Sequence, residues 1–335
     1  MKILTKNKIT TLKKPDYYLK YFLSDYAKPL IVTFSPANIL IDNKEADQQQ
    51  SPWGFEFLLN ENVNVLSFSC INKKNWYRSK ELFSFLHKIS IELDSFKIKL
   101  GYGSSMGGYA VGAFADLLNL DRVLLINPIS TLNKELVPFE TRFSKYANIL
   151  DWNSDFKDGT IMNSSGYIVY DPIYTLDAQH AKRYCKNLVP LKAFGLGHNM
   201  PEHLKNLKIL KWLVREFIYD TLDIDLFYKK IRTRRTLRRY YTWMLSDENV
   251  HLTDLRSYII KNYAKKNGFT IKQAKKIEFD YNDFELIKKV AVLCENIHPN
   301  YSLELMKLLK KFRPEAPYVN KKILFYEQTI KKDKK

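Results

Sequence analysis

Short apolar runs closed by turn residues alternate with helical stripes over the first two thirds of the chain. The apolar, β-branched run Pro29–Phe34 is a buried strand, and Val63–Phe68 is a second. A run with interleaved lysines, Phe96–Leu100, leads into a glycine-rich turn, and further strands follow at Arg122–Ile126, Tyr167–Tyr170 and Leu188–Phe194. Between them lie helices. Glu81–Leu93 presents Leu82, Phe83, Leu86, Ile89 and Leu93 on one stripe. Tyr109–Leu118 is a helix of small residues, Ala178–Tyr184 is one with Asp177 as its N-cap, and Glu202–Phe217 is a closing amphipathic helix.

Strands that are apolar on both faces and alternate with helices predict an α/β fold, a mostly parallel sheet with helices on both faces. Residues 1–28, with an aromatic stretch at Tyr17–Tyr26, form an edge hairpin or a covering helix. Residues 129–165 break the rhythm and read as an insertion lying over the strand ends, a cap. After Asp220 strand alternation stops, and helices are expected near 224–245, 252–266, 282–296 and 301–312. The chain therefore divides into a domain at 1–220 and an all-helical region at 221–335. In that region Ser302–Pro314 and the helical run after it resemble a tetratricopeptide pair.

Composition changes the picture in two places. The formal charge of +18 is uneven: residues 221–335 carry 26 Lys and Arg against 14 Asp and Glu, a net +12. Its sharpest run, Ile231–Tyr240, holds five arginines in eight residues and is followed by Tyr241, Trp243 and Met244. Such a surface suits an anionic partner, a membrane leaflet or an acidic polymer. No named nucleic-acid motif accompanies it, so nucleic acid is disfavoured. Cys70, Cys185 and Cys294 are widely spaced, with no C-x-x-C, which fits reduced thiols rather than a disulfide or zinc framework. The first residues lack the apolar core of a secretory signal, and no run of about 18 apolar residues is present. The expectation is a cytoplasmic protein, free or peripheral to the inner membrane, with no metal.

The chemistry gathers at Leu100–Ala110, LGYGSSMGGYA, which contains the G-x-S-x-G match Gly103–Gly107 between a strand and a helix. A serine on so tight a turn needs small residues two before and two after it, because strand and helix pass closely there. A plain Gly/Ser turn has the same letters. A phosphate loop is disfavoured, because G-x-x-x-x-G-K-[ST] is absent and Met106 breaks G-x-G-x-x-G. Ser105 is the candidate nucleophile. It needs a base, and the base needs an orienting carboxylate. His198, in the Gly195-Leu196-Gly197-His198 loop after the last strand, is the base, preferred over His87, His180, His203, His251 and His298. Asp171, directly after the Tyr167–Tyr170 strand, is the preferred acid. Asp177 is the alternative, its place at a helix start suiting a cap better. The N–H of Met106 is one oxyanion donor. The second comes from the loop after Phe34, where Pro36 has no N–H, so Ser35 or Ala37 supplies it, with Ser35 preferred. Trp53, Trp76 and Tyr77 lie in loops; Trp76 and Tyr77 are candidates for stacking on a sugar, unless they are ordinary half-buried aromatics.

On the Gly103–Gly108 elbow, the strand-plus-Asp171 step and the Gly-Leu-Gly-His loop, residues 29–218 resemble the α/β-hydrolase superfamily. The resemblance implies an eight-stranded, mostly parallel sheet and a Ser105–His198–Asp171 triad. Phe34-Ser35 stands where the family has His-Gly after the first core strand, and the glycine three before the acid is absent. More narrowly, the Thr33-Phe34-Ser35 loop and the G-S-S-x-G-G elbow are similar to those of bacterial capsule polysaccharide O-acetyltransferases of this fold. That likeness implies serine-dependent acyl transfer to a surface polysaccharide or its precursor, with no tightly bound cofactor and an acyl donor such as acetyl-CoA. A carboxylesterase or deacetylase of the same fold is the alternative, and a non-catalytic binding module working through the basic helices is a third reading.

Overall fold

The computed structural model describes residues 3–72, 75–184, 186, 188–237, 240, 253, 255, 258–260, 262 and 281–332. They belong to two compact units, Met1–Arg234 and Arg235–Lys335.

The first unit is built on one eight-stranded sheet. Its strands are β1 (Ile9–Lys13), β2 (Tyr17–Phe22), β3 (Leu30–Phe34), β4 (Asn64–Cys70), β5 (Lys99–Ser104), β6 (Arg122–Ile126), β7 (Ser165–Tyr170) and β8 (Val189–Lys192). They are arranged in the order β1-β2-β4-β3-β5-β6-β7-β8. The β1–β2 and β2–β4 pairings are antiparallel, and every pairing from β3–β4 to β7–β8 is parallel. The central strands β3, β4 and β5 are buried along their whole length, as continuous apolar runs covered on both faces must be. This order, with an edge hairpin and a serine turn after β5, is the α/β-hydrolase sheet. Residues 1–28 take the hairpin alternative, with Ile9 opposite Phe22 and Lys13 opposite Tyr18.

Helices cover the sheet: α1 (Asn43–Asp47), α2 (Phe55–Leu59), α3 (Lys80–Leu93), α4 (Met106–Phe114), α5 (Ser144–Ile149), α6 (Thr175–Tyr184), α7 (Met200–Asn206), α8 (Leu210–Tyr219) and α9 (Ile224–Ile231). Two expectations change here. The single helix expected over 202–217 is the pair α7 and α8, because Lys208 adopts φ +58°, a left-handed turn that ends the first helix. The first unit also runs past residue 220. Asp223 caps α9 by accepting from the Leu226 N–H, Phe227 is buried, and Tyr228 Oη accepts from the Lys192 N–H at 3.3 Å. A short amphipathic helix reads alike in sequence whether it finishes one domain or begins the next.

The insertion between β6 and β7 contains α5 and otherwise irregular chain tied down by aromatic packing. Trp76 lies 5.0 Å from the Phe143 ring, 5.8 Å from Tyr146 and 6.3 Å from Trp152. Trp76 and Tyr77 are both completely buried, and Tyr77 Oη donates to the Ser35 carbonyl at 2.9 Å. Trp76 forms the seat of the insertion and Tyr77 packs on β3, and the sequence assignment of these two rings to sugar stacking is corrected: a ring closed on all sides has no face to offer.

In the second unit α10 (Tyr281–Leu293), α11 (Pro299–Phe312) and α12 (Pro317–Lys332) enclose a core of Phe284, Ile287, Ala291, Leu305, Met306, Leu309, Val319, Ile323 and Tyr326. Of the arginine-rich run, Arg232–Thr236 form a 3-10 turn in which Arg234 is buried and donates to the Ile231 carbonyl at 3.0 Å. Arg238, Arg239, Tyr241, Trp243, Met244, Cys185 and most of the helix expected at 252–266 lie outside the described residues. Among the described residues no helix is long and apolar enough to cross a membrane.

Candidate active site

The chain turns sharply at Ser105, between β5 and α4. Ser105 sits at φ +52°, ψ −121°, a conformation that costs an L-residue free energy and persists only where its surroundings enforce it. Here the Ser105 N–H donates to the Ile126 carbonyl, and the Ser105 carbonyl accepts from the N–H groups of Tyr109 and Ile129, each at 3.1 Å. The two glycines make the passage possible. A Cβ on Gly103 would lie 2.5 Å from the Gly107 carbonyl oxygen, and one on Gly107 would lie 2.0 Å from that of Phe34. Strand, elbow and the loop after β3 are therefore in backbone contact. Met106 is the first residue of α4, so its N–H is one of those a helix leaves without an intrahelical acceptor.

Ser105 Oγ lies 2.9 Å from His198 Nε2. On the other side of the ring, Nδ1 is 2.9 Å from both carboxylate oxygens of Asp177. Two donors also reach Nδ1, Asn127 Nδ2 at 3.1 Å and Arg142 Nη1 at 3.2 Å, but the carboxylate oxygens are closer and only accept, so Nδ1 carries the ring proton and Nε2 is left to accept from the Ser105 hydroxyl. The acid facing His198 is thus Asp177 and not Asp171, which corrects the preferred sequence assignment. The helix begins at Thr175, three residues before the expected Ala178. Asp177 lies inside its first turn, and its side chain is directed to the ring instead of capping the helix. Asp171 follows β7 as read, but Oδ2 accepts from the Gly197 N–H at 2.8 Å and Oδ1 from the Ile173 N–H at 3.1 Å. It shapes the loop that carries His198.

The loop after β3 brings a second correction. The Ser35 N–H donates to the Phe68 carbonyl at 2.9 Å, prolonging the β3–β4 ladder, and Ser35 Oγ accepts from the Trp53 N–H at 3.2 Å. The Ser35 backbone donor is already committed. Of the two residues the sequence offered, Ala37 alone remains a candidate for the second donor.

Three polar residues that sequence reading missed complete the site. Asn127, at the end of β6, donates from Nδ2 to the His198 carbonyl at 2.7 Å, and its Oδ1 accepts from Ser104 Oγ at 3.2 Å. Arg142, from the insertion, donates from Nη1 to Asp177 Oδ1 at 2.8 Å. Glu140 grips the same guanidinium, with Nη2 to Oε2 at 2.6 Å and Nε to Oε1 at 3.0 Å. The Asn127-Pro128 pair closing the strand was the only hint in the sequence for the first; in the structure Asn127 takes φ +38°. Glu140 and Arg142 lie in chain without periodicity and gave no signal.

Electrostatics follow from these contacts. Burial works against charge on Asp177, but the His198 ring and the Arg142 guanidinium outweigh it and hold the carboxyl below its ordinary range. Burial likewise opposes charge on Glu140, yet hydrogen bonds from His180 and Arg142 bring it down to about 2. Asp171 goes the other way. Burial pushes it up to about 6, although the N–H groups of Gly197, Gly195 and Ile173 favour its ionised form.

No protein-family model and no curated protein matches the sequence. Solved structures do. Est1E from Butyrivibrio proteoclasticus is 14% identical, with a TM-score of 0.43 over 64% of this chain and 100% of that one. The capsule O-acetyltransferase of Neisseria meningitidis serogroup A, solved in complex with CoA, is 13% identical, with a TM-score of 0.41 over 63% and 94%. An α/β serine hydrolase homologue from Coxiella burnetii is 13% identical, with a TM-score of 0.34 over 62% and 98%. The chain is similar to each of them in fold, and its strand order and serine turn place it in the α/β-hydrolase fold on their own.

Proposed function

We propose that the protein is a serine-dependent enzyme that transfers or hydrolyses an acyl group through an acyl-enzyme. The observation that carries this reading is the line Ser105 Oγ, His198 and Asp177, with both contacts at 2.9 Å, on a strained turn at a helix N-terminus. Ser105 Oγ attacks the acyl carbonyl as His198 Nε2 takes its proton. Asp177 faces the imidazolium that forms, and the N–H groups of Met106 and Ala37 receive the oxyanion. As the tetrahedral intermediate collapses, His198 gives the proton to the leaving group and the acyl group stays on Ser105. An acceptor hydroxyl then repeats the sequence in reverse, its proton going to His198 and returning to Ser105. Water as acceptor makes the protein an esterase; a sugar hydroxyl makes it a transferase.

The finer reading is O-acetyl transfer, from a donor such as acetyl-CoA to a surface polysaccharide or its precursor. It is supported by the likeness of Thr33–Ser35 and Gly103–Gly108 to the corresponding segments of capsule O-acetyltransferases. Intact mass after fluorophosphonate treatment tests the core of the proposal: a single adduct on the wild type and none on Ser105→Ala. Wild type without an adduct would remove it. Faster turnover of p-nitrophenyl acetate in the presence of a glycan acceptor selects transfer, and an unchanged rate selects hydrolysis.

A further inference from the structure

Helix α6 turns one polar face toward the root of the insertion. Asp177, His180 and Arg183 succeed each other at three-residue spacing, which places them on one side of a helix. Against them the insertion sets complementary partners, ionic for Asp177 and Arg183 and a hydrogen-bonding carboxylate for His180. Arg142 meets Asp177 at 2.8 Å, Glu140 Oε2 meets His180 Nε2 at 2.9 Å, and Asp158 Oδ2 meets Arg183 Nη2 at 2.6 Å. Ser130 joins the last two, its Oγ 2.8 Å from His180 Nδ1 and accepting from Arg183 Nη1 at 2.6 Å. Asp177, His180 and Glu140 are all at least 99% buried.

Within this network Arg142 holds an unusual post. Its Nη1 is 2.8 Å from Asp177 Oδ1 and 3.2 Å from His198 Nδ1, so with Asn127 Nδ2, 3.1 Å from the same nitrogen, it flanks the contact between the carboxylate and the ring. An unbalanced guanidinium there would draw charge from Asp177 and weaken its hold on an imidazolium. Glu140 prevents this. It takes Nε and Nη2 in a fork, and its Oε1 also accepts from the Arg142 backbone N–H at 2.7 Å. Burial holds His180 below its ordinary range and so favours the neutral ring, although Glu140 pulls the other way. With His180 neutral, Asp177, Arg142 and Glu140 together keep one negative charge for His198.

We infer that Arg142 is a positioning residue, a clamp carried by the insertion that fixes the Asp177 carboxylate against His198 Nδ1, with Glu140 as its counter-charge. The clamp makes the insertion part of the active-site framework: the acid is oriented from the insertion side as well as by its own helix. The inference rests on the proposed reading of Ser105, and the following test separates the two.

The rate of Ser105 labelling by a fluorophosphonate is measured on the full chain for the wild type, Arg142→Met, Arg142→Met with Glu140→Gln, Asp177→Asn, and Arg142→Met with Asp177→Asn. In parallel, the Nδ1–H proton of His198 is followed by NMR on protein labelled with ¹⁵N-histidine. The clamp predicts labelling slowed by about tenfold to a hundredfold in Arg142→Met, the usual cost of slight misplacement. It predicts the same slowing in the pair with Glu140→Gln, which folds without leaving a buried charge unpaired. It predicts no further slowing when Arg142→Met is added to Asp177→Asn, since two residues acting through one contact are not additive. The His198 Nδ1–H signal, sharp in the wild type, should broaden or vanish in both Arg142 variants. Wild-type labelling in the Glu140–Arg142 pair would mean that charge balance alone matters, and would overturn the clamp. A full further loss on top of Asp177→Asn would overturn it too. If the wild type does not label, the NMR arm decides alone: a signal lost with Arg142 sustains the clamp while the acyl-enzyme reading falls, and a signal unchanged removes both.

Discussion

Asp177 meets His198 Nδ1 with both carboxylate oxygens at 2.9 Å, while Asp171, six residues earlier, holds the His198 loop by its backbone. One buried carboxylate orients the ring and another shapes its support. The two should separate in kinetics. Asp177→Asn presents an amide where the ring needs an acceptor, and the expected loss in kcat is about 10⁴-fold, the scale for a triad acid whose removal favours the wrong tautomer. Asp171→Asn leaves the tautomer intact but loosens Gly197, and roughly a 10²-fold loss is expected from misplacement. Turnover of p-nitrophenyl acetate by the two variants decides. A larger loss at Asp171 would restore the assignment that the sequence favoured.

Asp171 should also write itself into the pH dependence of stability. Its native pKa is raised to about 6, above the ordinary 3.8, so between those values the folded protein holds a proton that the unfolded chain has released. Stability therefore falls as pH rises through this window, by on the order of 3 kcal/mol once pH exceeds 6. Asp177 and Glu140 have lowered values and act oppositely: their contribution is present above the ordinary carboxylate range and is lost as pH falls through their native pKa values. Comparison with Asp171→Asn isolates the first effect. The variant carries a constant penalty for its altered hydrogen bonds, but the gap to wild type should close between pH 4 and pH 7 in urea denaturation. Parallel curves would show that Asp171 titrates as it does in the unfolded chain.

Gly107→Ala tests the elbow as a steric object. The new Cβ would meet the Phe34 carbonyl oxygen at 2.0 Å, a backbone atom that cannot rotate away, so strand β3 or helix α4 must move. The cost should lie at or above the upper end of the ~1–3 kcal/mol typical of overpacking, read from the urea midpoint. It should come with loss of labelling at Ser105, because the shifted helix carries the Met106 N–H. A stable, fully labelled variant would show that the elbow has slack that these distances exclude.

How much of this was legible follows from what each residue depends on. Ser105, Gly103 and Gly107 could be read because the elbow is local: spacing along the chain is spacing in the turn. His198 could be read because it ends a loop after a strand, and the structure brings it to Ser105. The acid could not be settled the same way, since Asp171 and Asp177 lie within six residues of each other and only the entry of the chain into α6 decides which one faces the ring. Helix α6 begins at Thr175, earlier than a capping reading of Asp177 allows. Ser35 failed as an oxyanion donor for a related reason: that its N–H prolongs the β3–β4 ladder depends on where β4 ends, a property of another segment. Trp76 and Tyr77 are loop residues in sequence and core residues in space, because the insertion folds back over Trp76 and Tyr77 turns in against Phe34 and the Ser35 carbonyl. Arg142 and Glu140 were invisible, since a salt bridge between an irregular insertion and a helix leaves no period in either.

The insertion offers the remaining prediction, through Arg78. This side chain gathers backbone carbonyls that have no ladder of their own: Nη2 donates to Asp151 O at 2.9 Å and Nη1 to Asp155 O at 2.6 Å. It also donates to Ser154 Oγ at 2.7 Å and to Tyr109 Oη at 3.1 Å, which ties the same segment to the helix that follows Ser105. The guanidinium lies 5.3 Å from the Trp152 ring and 5.4 Å from Phe83. Only a planar fork with five donors can serve so many acceptors at once. Arg78→Lys keeps the charge but cannot keep the fork, so the carbonyls of Asp151 and Asp155 lose partners together. Local opening near residues 151–158 is expected, with the sheet left intact. Limited proteolysis followed by mass spectrometry should place the first cuts in this segment for Arg78→Lys and Arg78→Ala, while the wild type resists. Because only the short helix α5 separates the opened segment from Glu140 and Arg142, labelling of Ser105 should slow in step with cleavage. Cuts elsewhere, or an uncut segment with normal labelling, would show that aromatic packing alone holds the insertion.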